Sequence, residues 1–398
     1  MAQYQAVQGR PRWAAVLTSV AVLSTAFFLH RHLGSLPGGA ALALSLVFGL
    51  GFGVLLQRSR FCFYCVSRDF IEQRDARGLL GIVAALAVGT LGYHAVFGAF
   101  LPEPAPGRLP PGAHIGPVSI VLIGASFTFG LGMAVAGSCV SAQLYRLGEG
   151  VVTAPLALLG TLGGFILGLR VWNTLYLDHI QEAPVVWLPN HLGYEGSLAV
   201  QLLGLGGLAA LLWWRHRSPA AAASDTPWWR RRWAPHTGGI LIGALAVIAF
   251  LRVSPLGVTS ELGSIARTLA DQQQWLPSRL EGLDTFRGCA TAIKETLWSN
   301  NGALVVGLVL GSLAVAVLAG DFRPRWPSVR EAVRAVLGGV LMGLGSMLAL
   351  GCTVGTLLSG IMAAAASGWV FLLWAGLGLW VGWWLRRQRW SGLADPVA

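Results

Sequence analysis

The chain has 398 residues, of which 55% are hydrophobic and 11% charged, with a mean hydropathy of +0.63. That balance excludes a soluble globular enzyme and describes a polytopic membrane protein. The net charge of +11 does not argue for nucleic acid, because the arginines cluster between apolar runs, as the positive-inside bias places them.

Met1 to Val7 lacks the basic region and small-residue cleavage site of a secretory signal, so the first apolar run reads as a retained span. A transmembrane helix needs roughly 20 apolar residues. Runs near that length lie at about residues 13–30, 38–56, 78–101, 118–136, 151–170, 197–214, 237–251, 302–319, 335–350 and 367–385. Ten spans put both termini on one side of the bilayer. With that side inside, 20 of the 28 basic residues fall in inside segments, which predicts cytoplasmic termini in a bacterial inner membrane.

Between the spans, residues 102–116 hold five prolines and read as a stiff outside connector. Residues 215–235 form a basic inside loop. The polar stretch Arg252 to Asn300 reads as an outside loop with two short dipping segments, near Pro255 to Ala270 and Arg287 to Leu297. Arg68 with Asp69, and Lys294 with Glu295, read as local ion pairs.

The cysteines carry the chemistry. Gly130-Leu131-Gly132 runs through Gly137-Ser138 to Cys139, and Gly343-Leu344-Gly345 runs with the same spacing through Gly351 to Cys352. A looser third copy is Gly49-Leu50-Gly51-Phe52-Gly53 followed by Arg60-Phe61-Cys62 and Cys65. On the ten-span topology the segment after Cys139 enters from inside and that after Cys352 from outside, so the repeats are inverted. Cys62 pairs more loosely with Cys289 in the same scheme. Cys139 to Gly150 and Cys352 to Ser359 are too short to span and too rich in small and hydroxyl residues, so they read as short re-entrant helices. The domain reading is an extra N-terminal span (1–37), a first half (38–196), a linking span and basic loop (197–236) and an inverted second half (237–398).

Five cysteines with one Cys-x-x-Cys and no second such pair predict free thiols, no structural metal and no cofactor. A buried cysteine is by itself often only a small hydrophobe. Thiols repeated at glycine-rich segment ends, however, suit a soft sulfur ligand better than a hard oxyanion. Arg146 and Lys294 are candidate attractors of an anion, and Glu149 lies close to the Cys139 segment.

Arg58-Ser59-Arg60-Phe61-Cys62 with Arg68-Asp69, Gly137-Ser138-Cys139 with Leu144 to Gly150, and Gly351-Cys352-Thr353-Val354-Gly355 with Leu358-Ser359-Gly360 together resemble the YeeE/YedE family of membrane sulfur transporters. The resemblance spans about residues 45–385. It implies an all-α hourglass-shaped bundle of inverted halves that imports thiosulfate. It also implies a path in which Cys62, Cys139 and Cys352 pass the anion by S–H hydrogen bonds without covalent chemistry, and a TusA-like sulfur carrier in the cytoplasm as partner. Cys65 and Cys289 fall outside the family's motifs. Two alternatives stay open: a membrane sulfurtransferase carrying a persulfide on Cys62 or Cys65, motivated by the resolving thiol three residues away, and a transporter of a different sulfur or selenium species.

Overall fold

In a bilayer every backbone polar group must find its partner within the chain, and a helix meets that demand locally. The computed structural model accordingly consists of helices, and among the described residues (12–105, 107–217, 227, 230–277, 279–283 and 291–390) no strand forms. In order they are α1 (Arg12–Gly34), α2 (Gly39–Ser59), α3 (Phe63–Gln73), α4 (Arg77–Phe100), α5 (Ile120–Ala136), α6 (Val140–Gly148) and α7 (Thr153–Leu175). There follow α8 (Pro189–Arg215), α9 (Pro235–Arg252), α10 (Thr259–Gln272), α11 (Asn300–Ala319), α12 (Val329–Leu348), α13 (Gly360–Met362) and α14 (Ala366–Trp390). Two π-helical segments occur, Tyr176–Ile180 after α7 and Thr353–Ser359 before α13. Ten of the helices are long and apolar enough to cross a membrane, in the ten places read from the sequence. The chain is thus an all-α, multi-pass membrane protein.

Lipid-facing and protein-facing positions separate as expected for a solvent that is itself apolar. On α1, Trp13, Leu17, Phe27 and Phe28 are exposed large apolar groups, and the helix is tied to the bundle by Ser19 Oγ donating to the Ala314 carbonyl at 2.9 Å. Where helices meet, glycines bring backbones together. Gly49 and Gly53 of α2 abut the backbone of Leu304 and Leu308, while Gly307 and Gly311 of α11 abut that of Leu46 and Leu50. The α7–α12 contact is built the same way, Gly160 and Gly164 meeting Val336 and Val340 as Gly339 and Gly343 meet Ala157 and Thr161.

These partnerships recur in exchange. Helix α2 packs on α11 as α9 packs on α4, α7 packs on α12 as α14 packs on α5, and α5–α12 and α2–α9 also touch. Almost every major contact therefore joins a helix before α8 to one after it. Helix α8 has a break at Gly193 (φ 66°), and its regular part begins beyond that residue, where the sequence reading began the sixth span.

The polar stretch before α11 departs from expectation. Helix α10 occupies the first anticipated dipping segment, but residues 291–297 are not helical, and Arg287 and Cys289 lie outside the described residues. The mate of Cys62 in the exchange of helices is α10, since α3 follows α2 as α10 follows α9. The structure describes nothing of the pairing with Cys289.

Candidate functional site

Three helices stop early, and each stop delivers a cysteine to the start of a short interior helix. Helix α2 ends at Arg60 in the left-handed region (φ 51°), and Cys62 then caps α3. Helix α5 ends at Gly137 (φ 78°), and Cys139 caps α6. Beyond α12 the chain turns through Leu350 (φ 54°) and Gly351 (φ 154°), and Cys352 caps the Thr353–Ser359 segment. Gly137 and Gly351 are the points of the repeated motif where a positive φ is required. At 11, 9 and 7 residues these elements are far shorter than a span.

The three capping thiols are fully buried. The Cys65 N–H donates to Cys62 Sγ at 3.5 Å and the Val354 N–H to Cys352 Sγ at 3.4 Å, while Cys139 Sγ and Ser141 Oγ are 3.3 Å apart. A sulfur that accepts a backbone N–H keeps its own S–H proton to donate. The positive dipole end of each short helix favours negative charge at the same place.

The thiols also lie near one another. Cys62 lies close to both Cys139 and Cys65. Cys352 lies close to Thr259, the first residue of α10. The site is thus four short elements in two pairs, Cys62 with Cys139 and Thr259 with Cys352. Sequence reasoning missed Thr259, because the fourth segment carries no cysteine; its position between Pro255-Leu256-Gly257 and Glu261 was the only cue.

The two pairs are bounded by unlike chemistry. Beside Cys62 and Cys139 lies a charged cluster in which Arg58, 1% exposed, pairs with Asp321 at 3.2 Å and donates to the Arg231 carbonyl at 2.6 Å. Gln57 Nε2 donates to Glu149 at 3.1 Å and to Asp321 at 3.0 Å, and Arg232 lies 3.7 Å from Asp321. Burial raises the Glu149 carboxyl above its ordinary range, an effect the Gln57 hydrogen bond opposes. Glu149 is therefore a member of this cluster rather than a group on the cysteines. Arg146 Nη2 lies 3.6 Å from Cys65 Sγ, so the half-buried second thiol of the Cys-x-x-Cys has a cationic neighbour.

On the Cys352 side, Lys294 pairs with Glu261 of α10, whose other oxygen accepts from Ser299 Oγ at 2.5 Å. This corrects the expected Lys294–Glu295 pair. Glu261 is buried and needs a cation, and folding brings Lys294 rather than a nearer residue of the chain to it. Arg68 and Asp69 do pair, at 2.8 Å. A cavity lined in part by His114, Pro117, Leu122, Leu350 and Thr356 lies beside the Cys352 turn. Among the described residues no group of three His, Cys, Asp or Glu gathers as a metal site.

The family model described as sulphur transport matches residues 58–381. The chain is 27% identical to the thiosulfate transporter TsuA of Escherichia coli K12 over 376 residues, covering 89% of this chain and 97% of that protein. It is 29% identical to the thiosulfate transporter TsuA of Spirochaeta thermophila, covering 86% and 98%. The probable transporter YedE of Escherichia coli K12 is 30% identical over 186 residues, 46% of this chain and 44% of that protein. With that model covering most of the chain, including the segments that carry Cys62, Cys139 and Cys352, the protein belongs to the sulphur transport (YeeE/YedE) family.

Proposed function

We propose that the chain imports thiosulfate, or a closely similar small sulfur anion, along a path formed by Cys352, Cys139 and Cys62. The observation that carries this reading is the arrangement of three buried thiols, each at the start of a short interior helix, with Cys62 close to Cys139. Thiosulfate has a soft terminal sulfur and a hard sulfonate end. Thiol S–H groups match the first, and the helix N-termini match the charge of the second. The names of the two relatives matched over most of their length support the choice of substrate.

The exchange of helix partners supports an inverted repeat. If every long helix crosses in turn, α2 and α9 run in opposite directions, as do α5 and α12. The short elements after Cys62 and Cys139 then re-enter from the cytoplasmic side and those starting at Thr259 and Cys352 from the opposite side. Transport proceeds by transfer of hydrogen bonds from one thiol to the next, with no covalent intermediate. In the cytoplasm a cysteine thiolate of a TusA-like carrier attacks the terminal sulfur of the released thiosulfate, forming a persulfide on the carrier as the S–S bond breaks and sulfite leaves.

The test is growth of a thiosulfate-uptake-deficient bacterium on thiosulfate as sole sulfur source. Rescue by the wild-type chain and not by C62A, C139A or C352A supports the path. No rescue by wild-type protein that is present in the membrane refutes thiosulfate as the substrate. The contact of Cys62 with Cys65 favours a second reading, a persulfide relay. Intact-mass spectrometry after exposure to thiosulfate decides it, since a relay adds one sulfur atom, about 32 Da, to a cysteine.

A further inference from the structure

Arg146 is a half-buried guanidinium whose hydrogen bond among the described residues goes to a cysteine sulfur, Cys65 Sγ, at 3.6 Å. A charge withdrawn from water normally has a carboxylate partner, because losing hydration costs several kcal/mol per ion. Its acidic neighbour Glu149 is not within ion-pair distance and takes the Gln57 amide instead. Arg58, nearby in the cluster, shows the ordinary solution, with Asp321 at 3.2 Å. Cys65, for its part, continues a chain of sulfurs, since its neighbour Cys62 lies close to Cys139. It differs from the other three described thiols in being partly exposed.

We propose that Cys65 and Arg146 form a fourth anion subsite, on the charged-cluster side of Cys62, where the transported anion rests before release. The inference rests on the thiosulfate reading above. The guanidinium pairs with sulfonate oxygens and the Cys65 S–H donates to the terminal sulfur, so the subsite holds both ends of the ion at once. The three buried thiols have hydroxyl and backbone neighbours but no guanidinium within hydrogen-bond distance among the described residues. The subsite completes a gradient from enclosed thiols to a cationic, partly open one.

The experiment is alkylation of wild-type protein in vesicles that expose the charged-cluster side, with N-ethylmaleimide and residue-resolved mass spectrometry. The three buried thiols react slowly, which makes Cys65 the informative site. Thiosulfate is expected to slow Cys65 alkylation in proportion to occupancy. Sulfate, which lacks the terminal sulfur, is expected to need a higher concentration. In R146Q the concentration for half-protection is expected to rise about tenfold or more, the effect of one charge-assisted hydrogen bond, and in R146K by less. Unchanged Cys65 alkylation at thiosulfate concentrations that support uptake overturns the subsite and leaves the three-cysteine path standing. Equal protection by sulfate and thiosulfate also overturns it, because the thiol then has no role. Absence of thiosulfate uptake by the wild-type chain is instead a failure of the transport reading.

Discussion

Thr259, at the start of α10, lies close to Cys352, as Cys62, at the start of α3, lies close to Cys139. A hydroxyl and a thiol thus stand in corresponding positions, and only one of them is soft. T259V, which keeps the shape and removes the donor, is expected to reduce thiosulfate uptake by about tenfold, the effect of one hydrogen bond, while T259S retains most of it. Initial uptake rates of labelled thiosulfate check this.

C139A and C352A are each expected to abolish uptake while leaving the protein in the membrane in normal amount. Both sulfurs are fully buried, and alanine removes a single atom from each site, so the fold loses little. Immunodetection in membrane fractions beside the uptake assay separates the two effects, and retained uptake in either variant contradicts the handover.

Asp321 holds the buried Arg58 guanidinium, so removing its charge strands a cation inside the protein. D321N is expected to destabilise the folded protein by about 2–3 kcal/mol, less than a fully buried pair because Asp321 is 26% exposed. Thermal unfolding in detergent should show a clearly lowered midpoint, and R58M, which removes the charge rather than its partner, a smaller drop.

His114 sits in the loop between α4 and α5, and burial lowers its imidazole to about 4 from an ordinary 6.5. The folded state therefore favours the neutral ring. The sign follows: this contribution is complete above pH 6.5 and is lost progressively as pH falls toward 4, by about 3 kcal/mol in all. Stability measured from pH 7 to pH 4 should decline over that window, and H114N should flatten the decline.

Gly163 and Gly164 are neighbours on α7 with opposite surroundings. A Cβ on Gly163 meets open space, whereas one on Gly164 runs into the Val340 carbonyl. G163A is expected to be silent and G164V to lower the yield of folded protein sharply, as monitored by size-exclusion chromatography in detergent.

The ten spans were legible because hydropathy over some 20 residues is a strong signal, and Cys139 and Cys352 because the run from Gly-Leu-Gly to cysteine recurs at fixed spacing, with Cys62 at the end of a looser copy. Thr259 was not legible, since threonine after a proline–glycine turn has many structural uses. Lys294 was assigned the wrong partner for a related reason. Adjacency in sequence suggested Glu295, but ion pairing in a non-helical segment is decided by what folding brings near, here Glu261 thirty-three residues away. Cys65 and Arg146 were both visible in the sequence, yet their meeting across 81 positions was not.

The exchange of helix partners bears on how such a molecule can move. Helices α2, α4, α5 and α7 each pack chiefly on a helix from beyond α8, and glycines set backbone against backbone at these contacts. The two parts are interlaced like the fingers of clasped hands, so that the long helices gather into two mixed sets, α2, α4, α9 and α11 in one and α5, α7, α12 and α14 in the other, joined chiefly through the short elements. Motion of one half of the chain against the other would pull these backbone contacts apart, so cross-links within either mixed set are expected to leave turnover intact, whereas cross-links between the two sets test whether the sets themselves move.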